Sequence, residues 1–317
     1  GICMKNLPDF ALEVHFSRWE FAARYNLCGS DMESMSLTEL LDLADTSDRS
    51  DWNDLQLGYI ETYGTPALRE AIAAGYDYIG ATDVIAFAGA EEGLYVAMQT
   101  LLSADDHAVV IAPNYQSAES VPAAICDTTA VALDYDQEWS LDIDKLLDAA
   151  NANTRLISFN FPHNPTGLVI PPDDLAAIIR FADQRGIYLF SDEVYRHLER
   201  PATVQLPQVA DLYERGLSLN VMSKAYGLPG LRIGWIATRD SALLSRMERL
   251  KHYLSICNSA PSELLTRIAL KAADQILARN RSIVADNLEH LNAFFEDFPE
   301  LFEWAEPHGG CIGYPRY

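Results

Sequence analysis

The chain has 317 residues, 49% of them hydrophobic and 22% charged, enough apolar side chain for a sizeable core and a length that suits about two domains. Its 23 basic and 46 acidic residues give a formal net charge of -23, which argues against nucleic acid or an anionic membrane surface as partner. Any anionic ligand must then rely on local cations. The five cysteines (Cys3, Cys28, Cys126, Cys257 and Cys311) are odd in number and lack metal-like spacing, so neither a disulfide framework nor a zinc site is indicated and a cytoplasmic protein with reduced thiols is expected. No apolar run reaches membrane-spanning length, and the opening Gly-Ile-Cys-Met-Lys lacks a hydrophobic signal core.

Residues 8–44 predict helical fragments around an irregular link at 26–35, with too little apolar periodicity for a core of their own, so this segment must dock elsewhere. Residues 66–75 predict a helix entered through Thr65-Pro66, with proline in the first turn where its missing N–H costs least. From residue 83 the pattern becomes regular. Apolar runs at 84–88, 108–112, 130–133, 156–161, 187–190, 217–222 and 233–237 alternate with helical stretches near 91–102, 142–150, 173–184 and 240–254. Such alternation predicts an α/β protein with a mostly parallel sheet, whose ligands bind at the carboxyl ends of the strands. Beyond 255 the pattern is helical to 295 and then strand-like to Tyr317.

The residues able to do chemistry fall just past those runs. Run 84–88 leads into Gly89-Ala90-Glu91-Glu92-Gly93 and a helix, the arrangement in which exposed N–H groups hold phosphate, so Ala90 and Glu91 are candidates. Run 156–161 enters Pro162-His163-Asn164-Pro165, where two prolines restrict Asn164 enough to aim its amide at a ring oxygen; an ordinary Pro-rich turn is the blander alternative. Run 187–190 ends in Ser191-Asp192-Glu193-Val194-Tyr195. A carboxylate there can pair with a pyridine nitrogen and keep it protonated, which suits Asp192, while Tyr195, one helical turn on, can share the ring's phenolic oxygen. Glu193 is expected to be only an acidic residue favoured by a helix dipole.

The densest cluster is Ser223-Lys224-Ala225-Tyr226-Gly227-Leu228-Pro229-Gly230-Leu231-Arg232-Ile233-Gly234-Trp235, just past run 217–222. Burial disfavours an ammonium, so Lys224 at the mouth of a packed sheet becomes an amine nucleophile suited to a Schiff base with an aldehyde. Eight residues on, Arg232 offers an always-charged fork suited to phosphate. An aldehyde lysine beside a phosphate arginine suggests pyridoxal 5'-phosphate, against the plainer possibility of a surface Lys and Arg around a Gly-Pro turn.

This block resembles the cofactor-lysine motif of the class I/II aminotransferases, the fold-type I pyridoxal-phosphate enzymes, and the resemblance extends in the expected order from about residue 55 to 317. It implies a three-layer α/β sandwich, with a large cofactor-binding domain at 46–250 and small-domain parts at 1–45 and 251–317. It also implies that Lys224 carries the cofactor, Asp192 faces the ring nitrogen, Asn164 and Tyr195 contact the phenolic oxygen and Tyr115 stacks on the ring. Tyr59, in Gly58-Tyr59-Ile60-Glu61-Thr62-Tyr63, matches the family tyrosine that reaches the phosphate of a neighbouring subunit, which implies a homodimer. Two departures stand out. Val221 replaces the serine or threonine found three positions before the lysine, so that role falls to Ser223 or the backbone. The arginine that clamps the substrate carboxylate lies well beyond the glycine pair matched by Gly309-Gly310, and Arg316 comes too early to inherit it.

The resemblance implies transfer of an amino group between an amino acid and a 2-oxo acid. Blocks such as His252-Tyr253-Leu254-Ser255 are also similar to capreomycidine-synthase-like members, so cyclisation or β/γ-elimination is the alternative outcome. A regulator of this fold would carry an added DNA-binding segment, which the acidic N-terminus does not offer.

Overall fold

The computed structural model describes residues 7–317. Its centre is a sheet of β1 (Val84–Phe87), β2 (His107–Ala112), β3 (Asp127–Ala132), β4 (Thr154–Asn160), β5 (Tyr188–Asp192), β6 (Gly216–Val221) and β7 (Gly234–Ala237). The spatial order is β1-β7-β6-β5-β4-β2-β3. Pairs β2–β3, β2–β4, β4–β5 and β5–β6 are parallel, whereas β7 runs antiparallel to both β6 and β1. In chain order the helices are α1 (Ala11–Trp19), α2 (Leu37–Asp42), α3 (Thr46–Asn53), α4 (Pro66–Ala73), α5 (Ala90–Leu101), α6 (Gln116–Ile125), α7 (Ile143–Asp148), α8 (Pro172–Arg185), α9 (Val209–Leu212), α10 (Ser241–Lys251), α11 (Ala260–Lys271) and α12 (Ala273–Asp297). No helix among the described residues is long and apolar enough to cross a membrane.

Apart from the exposed edge strand β3, the strands are largely apolar on both faces, and alternation sorts their residues into two cores. Ala108 and Leu156 pack with Leu94, Met98, Leu243 and Ile268 on one side, while Val109, Ile111, Ile157 and Phe159 pack with Leu146, Leu175 and Ile178 on the other. Helices α4, α5, α10 and α11 therefore cover one face and α7 and α8 the other, giving the expected three layers. Pro66 opens α4, with Thr65 accepting from the Leu68 N–H at 3.3 Å. Gly186, at φ 66, lets α8 end in a left-handed turn and the chain re-enter the sheet.

Three expectations need correction. Helix α6 forms where none was predicted, because Pro122 inside it removes a donor and masks the helical pattern. The strand-like residues after 295 make only isolated bridges, Glu303 to Arg316 and Glu199 to Gly309, since Pro307, Pro315 and the intervening glycines interrupt any longer ladder. The chain after Asp192 forms turns rather than a helix, with Arg196 N–H donating to Glu193 O at 3.0 Å, so Tyr195 reaches the ligand side from a turn. Helix α1 buries none of its own residues; it is held by Gln116, which accepts from the Ala11 N–H at 2.9 Å and donates to Asp9 O at 2.8 Å.

Candidate active site

The carboxyl ends of the parallel strands and the amino end of reversed β7 open on one cleft of about 530 Å³. Ala90, Glu91, Tyr115, Asn164, Asp192, Tyr195, Ser223, Lys224 and Arg232 all line it. Tyr59 does not; it is 92% exposed on the segment before α4.

Lys224 lies three residues past the end of β6, and its Nζ donates to Ser30 Oγ at 2.8 Å. Burial pushes its pKa below the ordinary lysine value, while Asp31, Cys311 and Asp192 pull the other way. Asp192 ends the neighbouring strand β5. Burial pushes its carboxyl up to about 6, held back by a bond from the Val194 N–H at 3.2 Å and by the charge of Lys224. Amine and carboxylate therefore share one poorly solvated space with opposed charges. That pairing suits a heteroaromatic aldehyde, whose carbonyl the amine could hold and whose ring nitrogen the carboxylate could face.

The other end of the cleft is built for an anion. Gly89, at φ 94, precedes α5, whose N-terminus has no side-chain cap, leaving its first N–H groups open. A Cβ on Gly89 would lie 2.5 Å from Arg232 Nη2, and one on Gly234 would lie 2.9 Å from the Ala90 nitrogen, so both glycines are required for this close approach. Arg232 Nη1 also reaches Ser223 Oγ at 3.5 Å. The Glu91 carboxylate is engaged by the Ser117 hydroxyl and pushed upward by burial, so what it can offer an anion is its main-chain N–H. Ala90, Ser223 and Arg232 thus fit a phosphate, and Val221, lining the cleft with no polar group, leaves the hydroxyl role to Ser223.

Between the two ends, the main chain of Asn164 is fixed by its N–H bond to Asn160 Oδ1 at 3.0 Å, and the Phe161–Pro162 and Asn164–Pro165 bonds are cis. Tyr195 donates to Ser30 O at 2.7 Å. The Tyr115 ring lies 5.2 Å from that of Phe10. Glu193 is more than a dipole-favoured acid: it is buried, and its Oε2 accepts from the Val209 N–H and the Ser218 hydroxyl, both at 3.1 Å, while burial pushes it up to about 7.

The residues that sequence reasoning missed come from the N-terminal segment and from residue 311. Ser30 receives hydrogen bonds from Lys224, Tyr195 and, at 3.5 Å, the Cys311 thiol, while Asp31, Glu13 and Phe16 complete the cleft. They lie in an irregular link and a helix without buried residues, where periodicity gives no signal. Arg316 sits away from the cleft, over the Tyr135 ring and near Glu303.

The family model for aminotransferase class I and II matches residues 26–315. The chain belongs to this family. Among curated class I and II relatives, the probable N-succinyldiaminopimelate aminotransferase DapC of Mycobacterium tuberculosis is 32% identical over 240 residues, 73% of this chain and 60% of that protein. The chain thus spans about 60% of the length of this relative. Capreomycidine synthase of Streptomyces vinaceus is 28% identical, covering 98% of this chain and 80% of its own. Among solved structures, a PLP-dependent aminotransferase from Streptococcus suis superposes with a TM-score of 0.89 at 27% identity, covering 96% of this chain and 81% of that one. The PLP-dependent cyclase OrfR gives 0.87 at 26%, covering 96% and 79%.

Proposed function

We propose that this chain binds pyridoxal 5'-phosphate at Lys224 and moves an amino group between an amino acid and a 2-oxo acid. One observation carries the reading: a single cleft combines a burial-weakened lysine, a half-buried carboxylate within its electrostatic reach and an uncapped helix N-terminus facing an arginine. When bound, pyridoxal phosphate supplies an aldehyde for amines and a ring that draws electron density from the carbon bearing the amine. Asp192, mostly ionised at neutral pH, holds a proton at the ring nitrogen. Asn164 would direct its amide at the phenolic oxygen, Tyr195 would do so by turning its hydroxyl away from Ser30 O, and Tyr115 would stack on the ring. The N–H groups of Ala90 and Glu91, the Ser223 hydroxyl and Arg232 hold the phosphate. Lys224 would act on the proton of the substrate's α-carbon, taking it as general base and passing it as general acid to the cofactor's former aldehyde carbon, the shift that transfer of the amino group requires.

The proposal extends to a homodimer working in the cytoplasm, with a cofactor domain at 46–250 and small-domain parts on either side. Support comes from Tyr59, which stands exposed beside Leu57 at 83% exposure, a poor arrangement for a free surface and a suitable one for reaching a neighbouring subunit's phosphate. A second reading, cyclisation or elimination, is favoured by the similarity to capreomycidine synthase along 98% of the chain. The test is to titrate purified protein with pyridoxal phosphate, follow the visible absorbance, and fix the product with borohydride for mass mapping. A label on Lys224 and amino-acid turnover that requires a 2-oxo acid is the expected result. Turnover without an oxo acid selects the second reading, and a protein that takes up no cofactor refutes both.

A further inference from the structure

Lys251, the last residue of α10, is fully buried, at 0% exposure. Its Nζ donates to Thr62 O at 2.5 Å and Ala86 O at 2.6 Å and lies 5.6 Å from the centre of the Phe87 ring. Burial pushes its pKa down to about 8 despite the charges of Glu92 and Glu263. Placing an ammonium there is costly, and an apolar side chain would fill the space more cheaply. What distinguishes the lysine is what it joins. Thr62 belongs to the segment carrying Tyr59, and Ala86 lies near the end of β1, three positions before Gly89. On the same strand, the Ala86 N–H donates to Tyr63 O at 2.8 Å. Just past the helix, Ser255 donates to Glu92 in the first turn of α5 at 2.7 Å. The end of α10 thus grips the Tyr59 segment and the start of the phosphate cradle together, without itself lining the cleft.

We propose that Lys251 is a positioning residue whose ammonium fixes both the Tyr59 segment, which meets the neighbouring subunit's phosphate, and the strand that leads into this chain's own Gly89-Ala90 cradle, and so sets the phosphate affinity of the assembled site. This rests on the proposed binding of pyridoxal phosphate and on Tyr59 reaching the phosphate. The experiment titrates the full chain with pyridoxal phosphate and with pyridoxal, which lacks the phosphate. A wild-type protein that binds neither would defeat the proposed function, whatever Lys251 does. With wild-type binding established, Lys251→Met weakens pyridoxal phosphate about tenfold, the scale of a lost charge-assisted hydrogen bond, and leaves pyridoxal within about twofold. In a Tyr59→Phe background the same substitution has no further effect, because the two residues act as one unit. Equal weakening of both aldehydes, or a loss that adds in full to that of Tyr59→Phe, overturns the proposal, since a lysine that only supports the fold would behave so. Circular dichroism establishes that each variant is folded; if Lys251→Met is not, Lys251→Gln carries the same comparison.

Discussion

Gly89→Ala separates two physical effects in one position. The backbone there sits at φ 94 and ψ 167, a region nearly closed to residues with a Cβ, so alanine costs roughly 1–3 kcal/mol of folded-state stability with or without ligand. The added methyl also falls 2.5 Å from Arg232 Nη2. A guanidinium tip swings away more easily than a strand moves, so the clash is relieved by displacing the arginine from the anion site. Losing one charged hydrogen bond of about 1.5–3 kcal/mol raises the Kd for pyridoxal phosphate about 10- to 150-fold. Pyridoxal, with no phosphate to miss the arginine, changes little. Absorbance titrations with both aldehydes read the second effect, and urea unfolding of the cofactor-free protein reads the first. An alanine variant that binds pyridoxal phosphate as the wild type does, or loses both aldehydes equally, would refute the assignment of Arg232 and α5 to the phosphate.

Lys224→Ala should abolish turnover and the borohydride-fixed label while leaving the fold intact by circular dichroism; retained turnover would remove the lysine from the mechanism. Asp192→Asn should abolish turnover yet stabilise the cofactor-free protein. A carboxyl held at about 6 rather than 3.8 keeps a proton that the unfolded chain has released, so its contribution to stability is lost as pH rises through that window. The variant should gain up to about 3 kcal/mol on the wild type at pH 8, with the gap closing near pH 4 in urea unfolding; a gap of opposite sign would contradict the burial argument. Glu193→Ala leaves the Val209 N–H and Ser218 hydroxyl without their acceptor and should cost roughly 1–3 kcal/mol with an unchanged cofactor Kd. A selective loss of cofactor affinity there would mean that Glu193 belongs to the site.

Much of the sheet was legible because doubly covered strands are short apolar runs bounded by glycine, proline or acidic residues, and the chemistry follows their ends. Lys224, Asp192 and Asn164 stood out for that reason: each is a polar residue at the point where an apolar run stops. Helix α6 was hidden by Pro122, and the tail by glycines and prolines that allow bridges but no ladder. Ser30 was illegible on principle. Its contacts to Lys224 and Tyr195 span 194 and 165 positions of sequence and come from a link with no local pattern. Glu193 was misjudged because the helix expected after it is a turn, and its true partners lie on α9 and β6.

The reversal of β7 has a consequence for how this centre tolerates motion. Because that strand returns alongside its predecessor, with the Met222 N–H bonded to Ile233 O at 2.9 Å, a closed linker of a dozen positions carries the Lys224 amine at one foot and the Arg232 guanidinium at the other. Their spacing is thereby set within one loop closed by the sheet itself. An engineer wishing to move this chemistry to another sheet should transplant residues 222–233 as one cassette, together with the two strands that anchor it.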